Sequence, residues 1–279
     1  MIFIINMGIP LYFKNVYEDY PEILIKHIEG NNNLFLDLNC AIHPCCKNII
    51  DNYNTVKVNK EILEKKMINE VITYLKFILE KTNPNFLFVA IDGVAPTAKM
   101  TQQRLRRYKS VLDKQRIKDI KKKLNIEENK TVWDTNAISP GTIFMNKLSN
   151  AINSYLSSLK IKVIFSDSFI PGEGEHKILD YIKHNTIEGN TIIYGLDADL
   201  IMLAMVSRKN NIYLLRESVQ FGKTDTSVLL YFDINLFKIK LLGKLRELIY
   251  EKDESYHIEN HNLLRLIDDY IFICFLLGN

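Results

Sequence analysis

The chain is 279 residues long, 47% hydrophobic and 25% charged, with a net charge of +3 at pH 7 and a pI near 8.5. These values suit one large soluble domain with a sizeable core, and they exclude a global basic field as the means of holding nucleic acid. Cys40, Cys45, Cys46 and Cys274 show neither a CxxC pair nor zinc spacing, so reduced thiols and an intracellular address, cytoplasmic or nuclear, are expected. The first five residues are too short for a signal peptide, and no later stretch is apolar for long enough to span a bilayer.

Along the chain, short apolar strands alternate with helical periodicity. Residues 34–36 read as a strand ending at Asp37. Residues 59–81 read as a helix with Ile62, Ile68, Ile72, Leu75 and Leu79 as its apolar stripe. A strand at 86–91 ends at Asp92, and a long basic helix follows from 96 to 124. Polar residues 125–136 read as a loop, and Pro140–Gly141 opens a helix running to about 159. A strand at 162–165 precedes a short helix at 172–183, and β-branched 191–194 reads as a buried strand before a helix at 200–206. Residues 211–215 and 228–232 are further strands, 233–250 and 260–277 closing helices, and 222–227 and 251–261 exposed loops. This alternation predicts an α/β fold with a mostly parallel central sheet flanked by helices, Rossmann-like in build. No internal repeat, low-complexity tract or Pro/Gly-rich linker divides it, so one domain is expected.

Six acids stand where these strands end. Asp37 and Asp92 close the first two, Glu173 and Glu175 follow the third after a short loop, and Asp197 and Asp199 follow the fourth. A lone Asp after a strand is ordinarily a helix cap or turn residue. Four strand ends, two of them carrying acid-x-acid pairs, are much harder to explain that way. Ligands of open α/β sheets collect at the carboxyl edge of the strands. Six acids converging there would repel one another, and burial would push their pKa values up. Divalent cations remove that conflict, and hard oxygen ligands suit Mg²⁺ or Mn²⁺, with two ions expected. The pattern predicts a two-metal phosphodiesterase.

Directly after the Asp92 strand, Lys99, Gln103, Arg106 and Arg107 fall at i, i+4, i+7 and i+8 and so line one helical face. Such a charge run is often only a solvated surface. Here a Lys, an amide and two Arg beside an acid-bearing strand end suit a terminal phosphate, which the amino end of the same helix also favours. Acids cluster elsewhere, so the basic stretch from Lys99 to Lys123 fits a backbone-binding channel leading to a metal site.

The residues around these positions carry a resemblance. Met7–Gly8–Ile9–Pro10, Leu36–Asp37–Leu38–Asn39 with His43, and Ala90–Ile91–Asp92–Gly93–Val94–Ala95–Pro96 occur in order. Lys99–Met100–Thr101–Gln102–Gln103–Arg104–Leu105–Arg106–Arg107, Ile138–Ser139–Pro140–Gly141–Thr142, Pro171–Gly172–Glu173–Gly174–Glu175–His176–Lys177 and the run from Tyr194 to Met202 follow. Together they resemble the amino-terminal catalytic region of the XRN family of 5′→3′ exoribonucleases, from Met7 to the last residue. The resemblance implies a PIN/flap-nuclease-like domain over 7–279 with residues 1–6 as a short extension. Asp37, Asp92, Glu173, Glu175, Asp197 and Asp199 would be its metal ligands, and Lys99, Gln103, Arg106 and Arg107 its pocket for a 5′-monophosphate. His43 would stack on the first nucleotides of a single-stranded RNA. Family members begin at the Met-Gly-Ile-Pro equivalent, which makes Met7 an alternative start. They also continue where this chain stops, with an Asp that completes the metal set, further walls of the site, and an aromatic partner for the His43 position that Trp133 does not match. A fragment and a naturally shortened protein are both open, with the missing segment acting in cis or in trans.

The expected function is metal-dependent 5′→3′ exoribonuclease activity on 5′-monophosphorylated single-stranded RNA. Two alternatives stand beside it: a truncated, weakly active or inactive module that binds 5′-phosphorylated RNA ends, and a flap-type DNA nuclease.

Overall fold

The structure, a computed structural model, describes residues 9, 11–53, 59–125, 133–195, 199–220, 223–252 and 263–278. Among them, seven strands and nine α-helices make an α/β fold of mixed strand pairing. The chain forms two compact units, one of residues 1–35 and 179–279 and the other of residues 36–178. It passes between them within β2 (Asn32–Asp37) and within α6 (Gly174–His184).

The first unit holds α1 (Tyr12–Asp19), β1 (Leu24–Ile25), β5 (Asn190–Tyr194), α7 (Asp199–Val206), β6 (Ile212–Gln220), β7 (Lys223–Asp233), α8 (Ile234–Lys252) and α9 (Leu263–Gly278). Its strands run in the order β1-β7-β6-β5-β2. β5 and β6 are parallel, with Thr191 opposite Ile212, whereas β7 returns antiparallel to β6 and to β1. The hairpin is longer than its sequence predicts. Residues 223–227, expected as a loop, belong to β7, and a bulge between Glu217 and Ser218 shifts the register. That polar outer half lacks the in/out alternation that marks a half-buried strand, so its pattern reads as a turn. The core is aromatic, with the Phe232 and Phe237 rings 5.4 Å apart edge to face, and the buried Tyr194 hydroxyl donates to Glu217 Oε1 at 2.6 Å. The helix expected at 260–277 is α9, which begins at Leu263, and the loop expected at 251–261 falls almost wholly outside the described residues.

The second unit holds the end of β2, α2 (Asn39–Tyr53), α3 (Lys60–Thr82), β3 (Phe86–Ala90), α4 (Thr97–Lys123), α5 (Ile143–Leu156), β4 (Lys162–Ser166) and the start of α6. Its strand order is β2-β3-β4, and β3 pairs with β4 in parallel from Phe86 opposite Lys162 to Ala90 opposite Ser166. α2 has no counterpart in the sequence reading, because Pro44 inside it removes an amide that a helix interior normally uses. α3 packs against α2 and α5, and it buries Leu63, Met67, Val71, Leu75 and Ile78 rather than the predicted stripe. Of that stripe only Leu75 is buried, and Ile62 is 51% exposed. Both faces of α3 are apolar, and its two partner helices decide which one is covered. α5 starts at Ile143 instead of Pro140, because Gly141 at φ 83° closes a turn and Thr142 then caps the helix by accepting from the Met145 amide at 3.3 Å. Among the described residues, no helix is long and apolar enough to cross a membrane.

Candidate active site

Asp37, Asp92, Glu173, Glu175 and the basic residues at the start of α4 all lie in the second unit. β2 is buried throughout and ends at Asp37, whose Oδ1 accepts from the Asn39 amide at 3.2 Å and from Asn39 Nδ2 at 3.0 Å. The carboxylate therefore starts α2 as an Asx-type turn while keeping its place at the strand end. β2 and β3 continue one step beyond the ladder through Leu38 N–H to Ala90 O at 2.9 Å, which fixes the next acid, Asp92, two residues on.

Two loops far apart in sequence are then laced together. Gly93 N–H donates to Gly172 O, and Gly172 N–H donates to Val94 O, both at 2.9 Å. A side chain at Gly93 would place its Cβ 1.9 Å from Ile170 O, so the close approach requires glycine. This lacing delivers Gly174, and Gly174 is the hub of the acids. Its N–H donates to Asp92 Oδ1 at 2.7 Å, and a Cβ built on it would stand 2.6 Å from Asp37 Oδ1. Glu173 and Glu175 flank it in sequence, with side chains 11% and 13% exposed. Asp37 and Asp92 thus meet at Gly174, and Glu173 and Glu175 are its neighbours in the chain.

The electrostatics follow from that crowding. Burial first, and then the charge of Glu173, raise the Asp92 pKa above the ordinary carboxylate value, while the Gly174 N–H, Lys177 and His43 pull it back. Lys177 is a cation inside the site, donating from Nζ to Ile91 O at 2.7 Å and to Asp167 O at 2.8 Å. Burial lowers its pKa, against the charges of Asp92, Asp167 and Asp37. One ligand atom each from Glu173, Glu175 and His176 lie within 4.8 Å of one another and could hold a metal ion. Two carboxylates and an imidazole grouped in this way offer ligand atoms that a divalent cation takes.

A cleft of about 340 Å³ opens beside the acids, lined by Asn39, His43, Asp92, Gln103, Arg106, Arg107 and Ser110 and by a wall from residues 135–140. Of the four residues expected to bind phosphate, three line this cleft, and the fourth, Lys99, has its Nζ 3.4 Å from Glu173 Oε1. Arg107 donates from Nη2 to Ser139 Oγ at 3.2 Å across the cleft. Partial burial of the His43 ring lowers its pKa below the usual imidazole value, against the pull of Asp92, while the residue keeps a solvent-exposed face. The wall is anchored by Trp133, which is buried, donates to Glu64 Oε1 at 3.3 Å and meets the Phe144 ring at 5.0 Å.

Asp199 opens α7 in the first unit and is partly buried there, and Asp197 lies outside the described residues. Sequence reasoning did not assign roles to Gly174, Lys177, Asn39 or Ser139. Only the Glu-Gly-Glu spacing hinted at the first of these.

Acids at strand ends thus stand beside a basic cleft in an α/β fold. The chain belongs to the XRN family: the model of the XRN 5′-3′ exonuclease N-terminus matches residues 7–218. It is 35% identical over 300 residues to the 5′-3′ exoribonuclease 1 of Saccharomyces cerevisiae, covering 98% of this chain and 19% of that protein. To the 5′-3′ exoribonuclease 1 of Homo sapiens it is 36% identical over 306 residues, 98% of this chain and 17% of the relative. To the 5′-3′ exoribonuclease 2 of Eremothecium gossypii it is 33% identical over 340 residues, 98% of this chain and 35% of the relative. The chain therefore spans about a fifth to a third of the length of these curated relatives, 19%, 17% and 35% in the order given.

Proposed function

We propose that residues 7–279 act as a nuclease domain that removes nucleotides from the 5′ end of 5′-monophosphorylated single-stranded RNA. The observation that carries this reading is that Asp92 lines the same cleft as Gln103, Arg106 and Arg107, with Lys99 Nζ 3.4 Å from Glu173 Oε1. A phosphate held by Lys99, Gln103, Arg106 and Arg107 lies next to the carboxylates, so the first internucleotide linkage is presented to them. Asp37, Asp92, Glu173 and Glu175 of the second unit are proposed metal ligands, as are Asp197 and Asp199 of the first, for Mg²⁺ or Mn²⁺, two ions in all. When bound, these ions supply Lewis-acid stabilisation and a more acidic water. His43 faces the first bases, Lys177 holds the Asp92 strand end to α6, and the Gly174 N–H fixes the Asp92 carboxylate. In the reaction, water adds to the phosphorus and the bond to the leaving 3′ oxygen breaks. A 5′-mononucleotide departs, and the shortened RNA keeps a new 5′-phosphate that can re-enter the cleft.

The test compares cleavage of 5′-phosphate, 5′-hydroxyl and circular RNA by the wild type and by Lys99→Ala and Arg106→Ala. Each substitution removes a charge-assisted contact, which costs about 1.5–3 kcal/mol and hence roughly tenfold or more in 5′-phosphate preference. Efficient cutting of the circle, or faster cutting of flapped duplex DNA, would replace this reading. A segment downstream of Asn279, supplied in cis or in trans, is the second arm. Phosphate-dependent binding without cleavage in both arms would favour an RNA-end-binding module.

A further inference from the structure

Asn39 lines the cleft with one side of its amide already engaged. It is the first residue of α2, and its Nδ2 donates to Asp37 Oδ1 at 3.0 Å. Its backbone N–H donates to the same oxygen at 3.2 Å. Turning the amide over would set its carbonyl against the carboxylate, so the charge of Asp37 fixes which end faces it. Among the described residues, none donates to Asn39 Oδ1. One turn along α2, at i+4 and on the same face, His43 lines the same cleft. Asp92 lines it too, as do Gln103, Arg106 and Arg107 from α4.

We infer that Asn39 reads the ribose 2′-hydroxyl of the first nucleotide and so distinguishes RNA from DNA. This rests on the cleft being the site for a 5′-phosphorylated strand, and the experiment separates the two ideas. A nucleotide with its 5′-phosphate on Gln103, Arg106 and Arg107 and its 3′-phosphate at the acids holds its sugar between them. Asn39 belongs to the acid end through Asp37, and its neighbour His43 to the base, so the sugar is what passes Asn39. The 3′ and 5′ oxygens of that sugar are esterified, and its ring oxygen carries no hydrogen. The 2′-hydroxyl is therefore the donor that the sugar offers, and Oδ1 is the acceptor that Asn39 has left. Through one amide, the bond also ties the correct sugar to Asp37. The hydroxyl donates to Oδ1, and Nδ2 donates to the carboxylate.

Binding of a 3′-labelled, 5′-phosphorylated RNA pentanucleotide is measured by fluorescence anisotropy. Ca²⁺ replaces Mg²⁺, and the probe is checked on a gel to be intact. Three versions differ only at the first sugar, which carries 2′-hydroxyl, 2′-fluoro or 2′-deoxy. Fluorine keeps the sugar pucker of RNA but donates no hydrogen bond. The wild type should bind the 2′-fluoro and 2′-deoxy probes each roughly tenfold more weakly than the 2′-hydroxyl probe, the loss of one hydrogen bond. Asn39→Ala, its fold checked by circular dichroism, should bind all three about equally. Equal binding of the 2′-hydroxyl and 2′-fluoro probes by the wild type overturns the proposal, and this comparison stands without the variant. Full 2′-hydroxyl preference in folded Asn39→Ala also overturns it, because another residue would then be the reader. A fourth probe carries a 5′-hydroxyl. Equal binding with and without the 5′-phosphate defeats the phosphate-pocket reading, while the 2′ series still judges Asn39. No binding of any probe defeats both.

Discussion

Replacing Gly174 with alanine probes the acid hub directly. The added Cβ would meet Asp37 Oδ1 at 2.6 Å and Asp37 Cγ at 3.0 Å, where ordinary contact begins near 3.4 Å. The carboxylate must retreat by roughly 0.8 Å or turn, and turning gives up its bonds from the Asn39 amide and side chain. Each such bond to a charged acceptor is worth about 1.5–3 kcal/mol. Alanine returns at most about 1 kcal/mol of helix propensity, and less at the first position of α6. Losing both bonds therefore leaves a net cost of about 2–5 kcal/mol, or roughly 5–15 °C in melting temperature. The Gly174 N–H that holds Asp92 survives the change, so the damage is confined to Asp37. A ligand oxygen displaced by that much exceeds the tolerance of about 0.2 Å for a metal site, and Mn²⁺ affinity should fall about 10–100-fold. Isothermal titration with Mn²⁺ gives the affinity, and a 5′-phosphorylated RNA gives the cleavage rate. Mn²⁺ affinity and cleavage both within twofold of wild type would mean that Asp37 is not a ligand and that the convergence on Gly174 is structural only.

The same convergence predicts that millimolar Mg²⁺ or Mn²⁺ raises the melting temperature of the wild type, by up to about 2.7 kcal/mol of stability at a hundred times the dissociation constant. Asp37→Asn should abolish most of that gain, and Asp199→Ala should abolish cleavage with the fold intact, both read by melting curves and product ladders. A third prediction concerns the cleft wall, where Glu64 accepts from Lys147 Nζ at 2.8 Å and from Trp133 Nε1 at 3.3 Å. Burial alone would raise the Glu64 pKa, but these two hydrogen bonds hold it below the ordinary value. Its contribution is thus fully present above the unfolded-state pKa and is lost as pH falls through the depressed folded one. Urea melts should show Glu64→Gln about 1–3 kcal/mol less stable than wild type at neutral pH, with the gap closing under strongly acidic conditions.

Strand ends and the basic helix were legible because each is a local pattern. An apolar run ending in an acid needs no knowledge of the rest of the chain, and a helix of 27 residues fixes which of its side chains share a face. Hence β2, β3, β4, β5 and α4 stand where the sequence puts them to within a residue or two, and Gln103, Arg106 and Arg107 share a cleft. The burial of α3 was not legible, because two adjacent faces are apolar and only the packing of α2 and α5 chooses between them. α2 was hidden by Pro44, and the outer half of the β6–β7 hairpin by its polarity.

The parts of the site that sequence could not supply share one physical origin. Gly174 matters through a backbone N–H and a missing Cβ, and Lys177 through an ammonium that bonds two carbonyls rather than an acid. Neither function depends on a side-chain pattern along the chain. Each depends on the segment around Gly172 meeting the segment around Gly93, residues about eighty positions away, through a reciprocal pair of backbone bonds. Those bonds form only once β3 and β4 are paired in parallel, which brings Ala90 level with Ser166. The acids are thus specified locally, one strand at a time, while their convergence is a consequence of strand register. A one-residue slip of β4 against β3 would turn its side chains to the opposite face and misalign Glu173 and Glu175 with Asp92, leaving every motif in the sequence intact.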